Sequence, residues 1–480
     1  MGDTTFRHDL ATLVRELLEE SHRVSNSIGR PIREHLGMSD EDLAVHAEEL
    51  SDFELPNLQL ALDAALARPG WQGRVVGLAG QGRHFSGVGL GDLMVNEHLS
   101  IGPPEYVNAP VGPGRTLPCL VWAVLLVTAP EGPLVVFVQR GEAHGPMQGS
   151  LIVQAAAQDP EHASRFLADL RGLMDEHDVF RGQLLTIEAD RGGTRKVVFL
   201  ERPQMDASEL VLPEGLLERI VRHVVGPTQH REELLSTGRH LARGLLLWGP
   251  PGTGKTHTVR YLTGLLTEAT VVVLSGPSLG LIGAFSNLAR RLAPAVIVLE
   301  DVDLVAQERG PFTGNPLLFE RMNEMSGIAA DADVAFVLTT NRPDELEPAL
   351  AARPGRVDLA LEIPLPATVE RRRLLELYGR GLDLGPALIE DAASRTEGAT
   401  ASFFRELLRK AAVAALETGH TRISADDVNA ALEELQHETA SLTRVLLGSE
   451  APGDGSAPAP HDWLQGMAGG SSQVTLRRSR

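Results

Sequence analysis

A single cysteine, Cys119, among 480 residues excludes an internal disulfide framework and suits a reducing compartment. It sits inside Leu117-Pro118-Cys119-Leu120-Val121-Trp122, so it reads as a small buried apolar residue rather than a nucleophilic thiol. Positive charge is short: the net charge of −20 argues against a broad nucleic-acid or anionic-membrane surface, and neither partner is expected. Long hydrophobic runs are missing too. The most apolar stretch, Leu120–Val127, is far too short to span a bilayer and reads as a strand. The N-terminus lacks a basic-then-apolar signal pattern, so a cytoplasmic protein is expected. The 16 histidines show no H-E-x-x-H or other metal-ligand spacing, which leaves Mg²⁺ as the expected metal. Lysine is the scarcest charged residue, with only Lys196, Lys255 and Lys410.

One of those three lysines stands in the most informative stretch of the chain. Leu245–Trp248 reads as a buried strand, followed by Gly249-Pro250-Pro251-Gly252-Thr253-Gly254-Lys255-Thr256-His257 and a helix beginning near Lys255. The spacing G-x-x-x-x-G-K-[ST] is that of a phosphate-binding loop. Gly249, Gly252 and Gly254 let the backbone wrap a polyphosphate with its N–H groups inward. The helix N-terminus adds positive potential. Lys255 is placed to reach the β- and γ-phosphates of ATP, and the Thr256 hydroxyl to bind Mg²⁺.

Residues 7–68 carry helical spacing, with Asp40-Glu41-Asp42-Leu43 as a helix start. Residues 75–116 read as glycine- and proline-rich loop, and Gly80-Gln81-Gly82 lacks the third glycine of a dinucleotide fingerprint. Strands are expected at 117–127, 134–139, 151–156, 183–188 and 196–200, with a helix at 160–176. Together these predict an α+β domain with an antiparallel sheet over residues 1–208. From residue 209 to 366 the continuous apolar runs Val271–Leu274, Val296–Leu299 and Val334–Leu338, with Leu359–Ile363, predict parallel strands in a three-layer α/β/α domain. Residues 367–448 read as a helical lid whose last helix is N-capped by Ser424 with Asp427, and 449–480 as a disordered tail.

Three further segments narrow the chemistry. Val296–Leu299 runs into Glu300-Asp301-Val302-Asp303, acids at a strand end that can hold Mg²⁺ and polarise water. Thr339-Thr340-Asn341-Arg342-Pro343 ends another strand with an amide able to orient that water, and Arg353-Pro354-Gly355-Arg356 offers two arginines in a loop. With these motifs in this order, residues 209–436 resemble an AAA+ ATPase module of the AAA clade. The resemblance does not reach residues 1–208. It implies that Asn341 is the sensor-1 residue. Arg353 and Arg356 would be arginine fingers reaching into a neighbouring subunit's site, and the active form would be a homo-hexameric ring.

Two departures from the family pattern matter. The order Glu300-Asp301, where the family has Asp-Glu, resembles the branch that contains the mitochondrial Rieske-protein translocase. It implies that Glu300 serves Mg²⁺ and Asp301 activates water. The segment after Ser275-Gly276-Pro277 is Leu279-Gly280-Leu281-Ile282-Gly283, without the aromatic residue of relatives that thread polypeptide; Phe285 falls in the next helix. Three readings follow. The first is an ATP-hydrolysing ring that remodels, disassembles or translocates a protein recruited by residues 1–208. The second is an assembly or scaffold ATPase, and the third is a nucleotide-gated binding module with little turnover.

Overall fold

The computed structural model describes residues 28–38, 43–79, 88–95, 99–141, 150–189, 195–303, 332–345, 357–382, 384–419 and 422–437. The chain divides into two units, Met1–Pro250 with Gly254–Pro364, and Pro251–Thr253 with Leu365–Arg480.

The first unit contains two seven-stranded sheets. In the N-terminal sheet the elements run α1 (Gly29–Leu36), β1 (His46–Ser51), α2 (Leu55–Leu66), β2 (Gln72–Ala79), α3 (Leu90–Val95), β3 (Ser100–Gly102) and β4 (Glu105–Gly112). They continue with β5 (Arg115–Ala129), β6 (Gly132–Arg140), β7 (Ser150–Ala157) and α4 (Pro160–Glu176). The strand order is β1-β7-β6-β5-β2-β3, all antiparallel, with β4 paired to the first part of β5. Its central strands are apolar at nearly every position because helices cover both faces. Leu125 and Val127 pack toward α2 and α4, whereas Val124 and Leu126 pack toward α1 and α3. Helix α4 starts where expected: Pro160 is its first residue and the Asp159 side chain accepts from Glu161 N at 3.0 Å.

Two expectations for this half need correction. The helical reading of 7–68 fails at His46–Ser51, which is an edge strand with alternating exposure, and the loop reading of 75–116 fails at β2, α3, β3 and β4. β1 and β3 are short edge strands with few apolar residues to announce them, whereas β2 is interior, paired with both β5 and β3. The helix start at 40–42, the pattern at 10–18 and the glycines 80 and 82 lie outside the described residues.

β8 (Leu184–Ala189) and β9 (Arg195–Leu200) were expected to complete the N-terminal sheet, but they belong to the second one. That sheet also holds β10 (Arg243–Trp248), β11 (Thr270–Ser275), β12 (Ala295–Glu300), β13 (Val334–Thr340) and β14 (Leu359–Glu362), in the order β14-β10-β13-β12-β11-β8-β9. Every pair is parallel except the β8–β9 hairpin. β8 satisfies the open edge of β11, with Leu184 opposite Val271, an outcome that a hairpin's local sequence cannot reveal. Helices α5 (Leu216–Val224) and α8 (Lys255–Leu265) cover one face and α9 (Ile282–Arg291) the other; the short α6 (Gly226–Gln229) and α7 (Arg231–Ser236) follow α5. This is the expected α/β/α arrangement.

The second unit is helical: α10 (Thr368–Tyr378), α11 (Pro386–Arg395), α12 (Ala401–Glu417) and α13 (Ala425–His437). Ser424 and Asp427 cap α13 reciprocally, Asp427 N donating to Ser424 Oγ at 3.2 Å and Ser424 N to Asp427 Oδ2 at 2.8 Å. Buried Arg371 donates to Ala393 O at 2.7 Å and Pro366 O at 3.1 Å, tying α10 to α11.

Candidate active site

Strand β13 has β10 on one side and β12 on the other, all parallel, with Trp248 opposite Thr340 and Leu299 opposite Leu338. Their carboxyl ends therefore bring three segments to one edge: the loop after Trp248, the acids Glu300 and Asp301, and Asn341 between them. Ligands of open parallel sheets bind at such edges.

The loop needs its glycines. Gly249, Gly252 and Gly254 have φ of 145°, 77° and 114°. A Cβ on Gly249 would lie 2.2 Å from Ile363 O, because Ile363 N pairs with Trp248 O at 2.7 Å and holds the chain after β14 against the loop. Within the second unit, Ser402 N donates to Gly252 O at 3.2 Å.

Lys255 opens α8 and is 6% exposed; its Nζ donates to Gly249 O and Pro250 O, each at 2.8 Å. Burial pushes its pKa down to about 8, against the pull of Asp301 and Asp303. A desolvated ammonium cradled by loop carbonyls next to a helix N-terminus is a site that favours an anion. Burial raises the Glu300 carboxyl, with the charge of Asp301 adding to the effect and a hydrogen bond from Thr256 opposing it. Asp301 is raised by burial and by Asp303, and held back by Lys255 and by a hydrogen bond from Asn341. That last contact is long, Asn341 Nδ2 to Asp301 Oδ1 at 3.5 Å. Asp301 has φ of 49°, the one positive value at a non-glycine among the described residues, and its N–H donates to Thr339 Oγ1 at 3.0 Å. The donor set fits a magnesium nucleotide: a buried ammonium for phosphate, and the hydroxyl and carboxylate oxygens of Thr256 and Glu300 for a hard divalent cation.

Residues 245–365 match the family model described as "ATPase family associated with various cellular activities (AAA)". That stretch is similar to the family's ATPase domain. It is 31% identical over 274 residues to an "ATP-dependent zinc metalloprotease FtsH" of Acidothermus cellulolyticus, covering 53% of this chain and 40% of that protein. It is 30% identical over 254 residues to a "Proteasome-activating nucleotidase" of Methanocaldococcus jannaschii, covering 50% of this chain and 59% of that protein. The chain thus spans about half the length of these relatives. Among the described residues no group of three or more metal-ligating side chains occurs, and no helix is long and apolar enough to cross a membrane.

The carboxyl ends of β10, β12 and β13 bring together Lys255, Thr256, Glu300, Asp301 and Asn341, while His257 is exposed one residue past Thr256 in α8. Arg353 and Arg356 lie outside the described residues. The segment compared with a threading loop is a 3₁₀ turn, Gly276–Leu281, leading into α9. Leu279, Leu281 and Ile282 are buried at 0%, 6% and 0% exposure, which leaves exposed Gly280 at the tip. Phe285 is also buried and stacks on Phe53 with centroids 5.2 Å apart. Sequence reading named Thr339, Thr340 and Asp303 within its motifs without assigning them individual roles; they tie the two strand ends together. The third acid of Glu300-Asp301-Val302-Asp303, two residues past Asp301, was the available signal.

Proposed function

We propose that this chain hydrolyses ATP and uses the cycle to remodel a protein partner recruited by its N-terminal half. The observation that carries this is the arrangement at the ends of β10, β12 and β13: Lys255 in the loop, Glu300 on Thr256, and Asp301 facing Asn341. Thr256 and Glu300 would hold Mg²⁺, which when bound supplies positive charge against the phosphate oxygens. Lys255 neutralises the β- and γ-phosphates. Asp301, its pKa raised by burial, would accept the proton of the attacking water while Asn341 orients it. Aspartate is one methylene shorter than glutamate, so productive geometry depends on how firmly Asp301 is held.

Arg353 and Arg356 are proposed to complete a neighbour's site in a homo-hexameric ring. Sedimentation of the full chain with and without ATP and Mg²⁺ tests this. The reading expects nucleotide-dependent assembly, and turnover reduced at least about 100-fold by Arg356→Ala with ATP still bound. A monomer that turns over normally without both arginines contradicts it. The lone buried Cys119 and the acidic balance support a cytoplasmic site of action without nucleic acid.

The scaffold reading has its own support. With Leu279, Leu281, Ile282 and Phe285 buried, no large apolar side chain of residues 276–285 is exposed to grip an extended chain. A folded reporter fused to a captured partner would remain folded through the ATP cycle on this reading, and would unfold if the ring threads.

A further inference from the structure

We propose that Asp303 is a positioning residue of the hydrolytic site, setting the distance between Asn341 and Asp301; the inference rests on the ATPase reading above. A carboxylate that is 3% exposed must find donors, and among the described residues Asp303 takes two from the neighbouring strand end. Its Oδ1 accepts from Thr340 Oγ1 at 3.0 Å and from Asn341 N at 3.2 Å. Thr340, fully buried, spends its hydroxyl proton on Asp303 and accepts Arg342 N at 3.0 Å with the same oxygen. The backbone on both sides of Asn341 is therefore fixed from one carboxylate.

The opposite tie runs the other way, from Asp301 N to Thr339 Oγ1 at 3.0 Å. The two strand ends are thus laced by two reciprocal crossings, with the reacting pair between them. This lacing matters because Asp301 sits in a backbone region that non-glycine residues occupy only when surroundings impose it. The Asn341–Asp301 contact is already at 3.5 Å, so a small relaxation of the Asn341 backbone removes it. The hydrogen bonds of Asp303 go to the neighbouring strand end, and its charge reaches Lys255 of the phosphate loop only through space. Its loss should accordingly lower kcat far more than nucleotide affinity.

The test is steady-state ATP turnover and nucleotide binding by the full chain carrying Asp303→Ala, Asp303→Asn, Asn341→Ala and the double substitution Asp303→Ala/Asn341→Ala. Asp303→Ala should lower kcat about tenfold or more with KM and ATP affinity within about twofold. Asp303→Asn keeps an Oδ1 acceptor at the same place and should stay within about threefold of the parent. On the Asn341→Ala background, Asp303→Ala should cost no more than about twofold, because its route of action is gone. Thr340→Val, which deletes the donating hydroxyl and keeps the shape, serves where Asp303→Ala fails to fold, and should be equally silent beside Asn341→Ala. Equal losses in both backgrounds, or affinity falling in step with kcat, overturns the positioning role and leaves the ATPase reading standing. No turnover by the parent chain overturns the ATPase reading and this inference with it.

Discussion

Arg291, the last residue of α9, donates from Nη1 to Glu54 Oε1 at 2.7 Å, joining the α/β/α half of the first unit to its N-terminal half. The same guanidinium reaches Asp178 Oδ2 at 3.3 Å and lies 3.1 Å from Asp175 Oδ1. Beside this cluster Phe53 stacks on Phe285 and meets Phe180 edge-on. An electrostatic clamp and an aromatic seam thus connect the N-terminal sheet to the helix that follows the 3₁₀ turn at 276–281.

Arg291→Ala should destabilise the first unit by about 2–3 kcal/mol, because it leaves Glu54 and the fully buried Asp178 carboxylate without their cation. The figure is below that for a wholly buried pair because the Arg291 side chain is 32% exposed. Urea unfolding followed by aromatic fluorescence checks this; an unchanged midpoint contradicts the clamp.

Ile282→Ala and Leu281→Ala each remove buried side chains from the core beneath α9 and should cost roughly 2–5 kcal/mol in stability. Thermal unfolding reads the loss. A stable Ile282→Ala variant with a selective defect in partner handling would instead place these residues on a working surface.

Gly249→Ala should impair both fold and nucleotide binding. A Cβ there meets Ile363 O, and φ of 145° suits glycine alone. We expect a loss of roughly 2–4 kcal/mol or a displaced loop with ATP affinity down at least about tenfold, measured by calorimetric titration beside a denaturation curve.

Lys255 is expected to set the pH dependence of nucleotide binding. Its folded-state pKa of about 8 lies below the unfolded value of 10.5. Between those values the unfolded chain retains a proton that the folded one has released, so stability rises with pH through that window and the gain is lost as pH falls through about 8. Phosphate needs the ammonium form. ATP affinity should therefore fall, by up to about tenfold per pH unit, above about pH 8, with proton uptake on binding. Titration calorimetry in buffers of differing ionisation enthalpy detects that uptake. Lys255→Ala should abolish measurable binding or turnover at every pH.

The loop Gly249–Thr256 and the parallel strands were legible in the sequence because each has local determinants: glycine spacing for one, apolar runs buried on both faces for the other. Ser424 with Asp427 was legible for the same reason. The placement of β8 and β9 was not, since a hairpin's alternation is satisfied equally by either sheet and only the open edge of β11 decides. Likewise Leu281 and Ile282 sit at positions that a family comparison puts on a loop. Both lie in one core cluster with Phe180, against which Phe53 packs, and these two aromatic residues stand more than a hundred positions away in the chain. Asp303 was present in the motif, but its partners Thr340 and Asn341 come from a different strand, so its role emerges only once β12 and β13 are paired.

Asp301 is the group proposed to activate water. Phosphate release by the full chain, compared with that of Asp301→Asn at matched ATP occupancy, tests it most directly, since asparagine keeps the shape and tolerates the positive φ. Turnover should be at least about 100-fold lower in Asp301→Asn, with ATP retained on the protein. Equal phosphate release by the two proteins would contradict it.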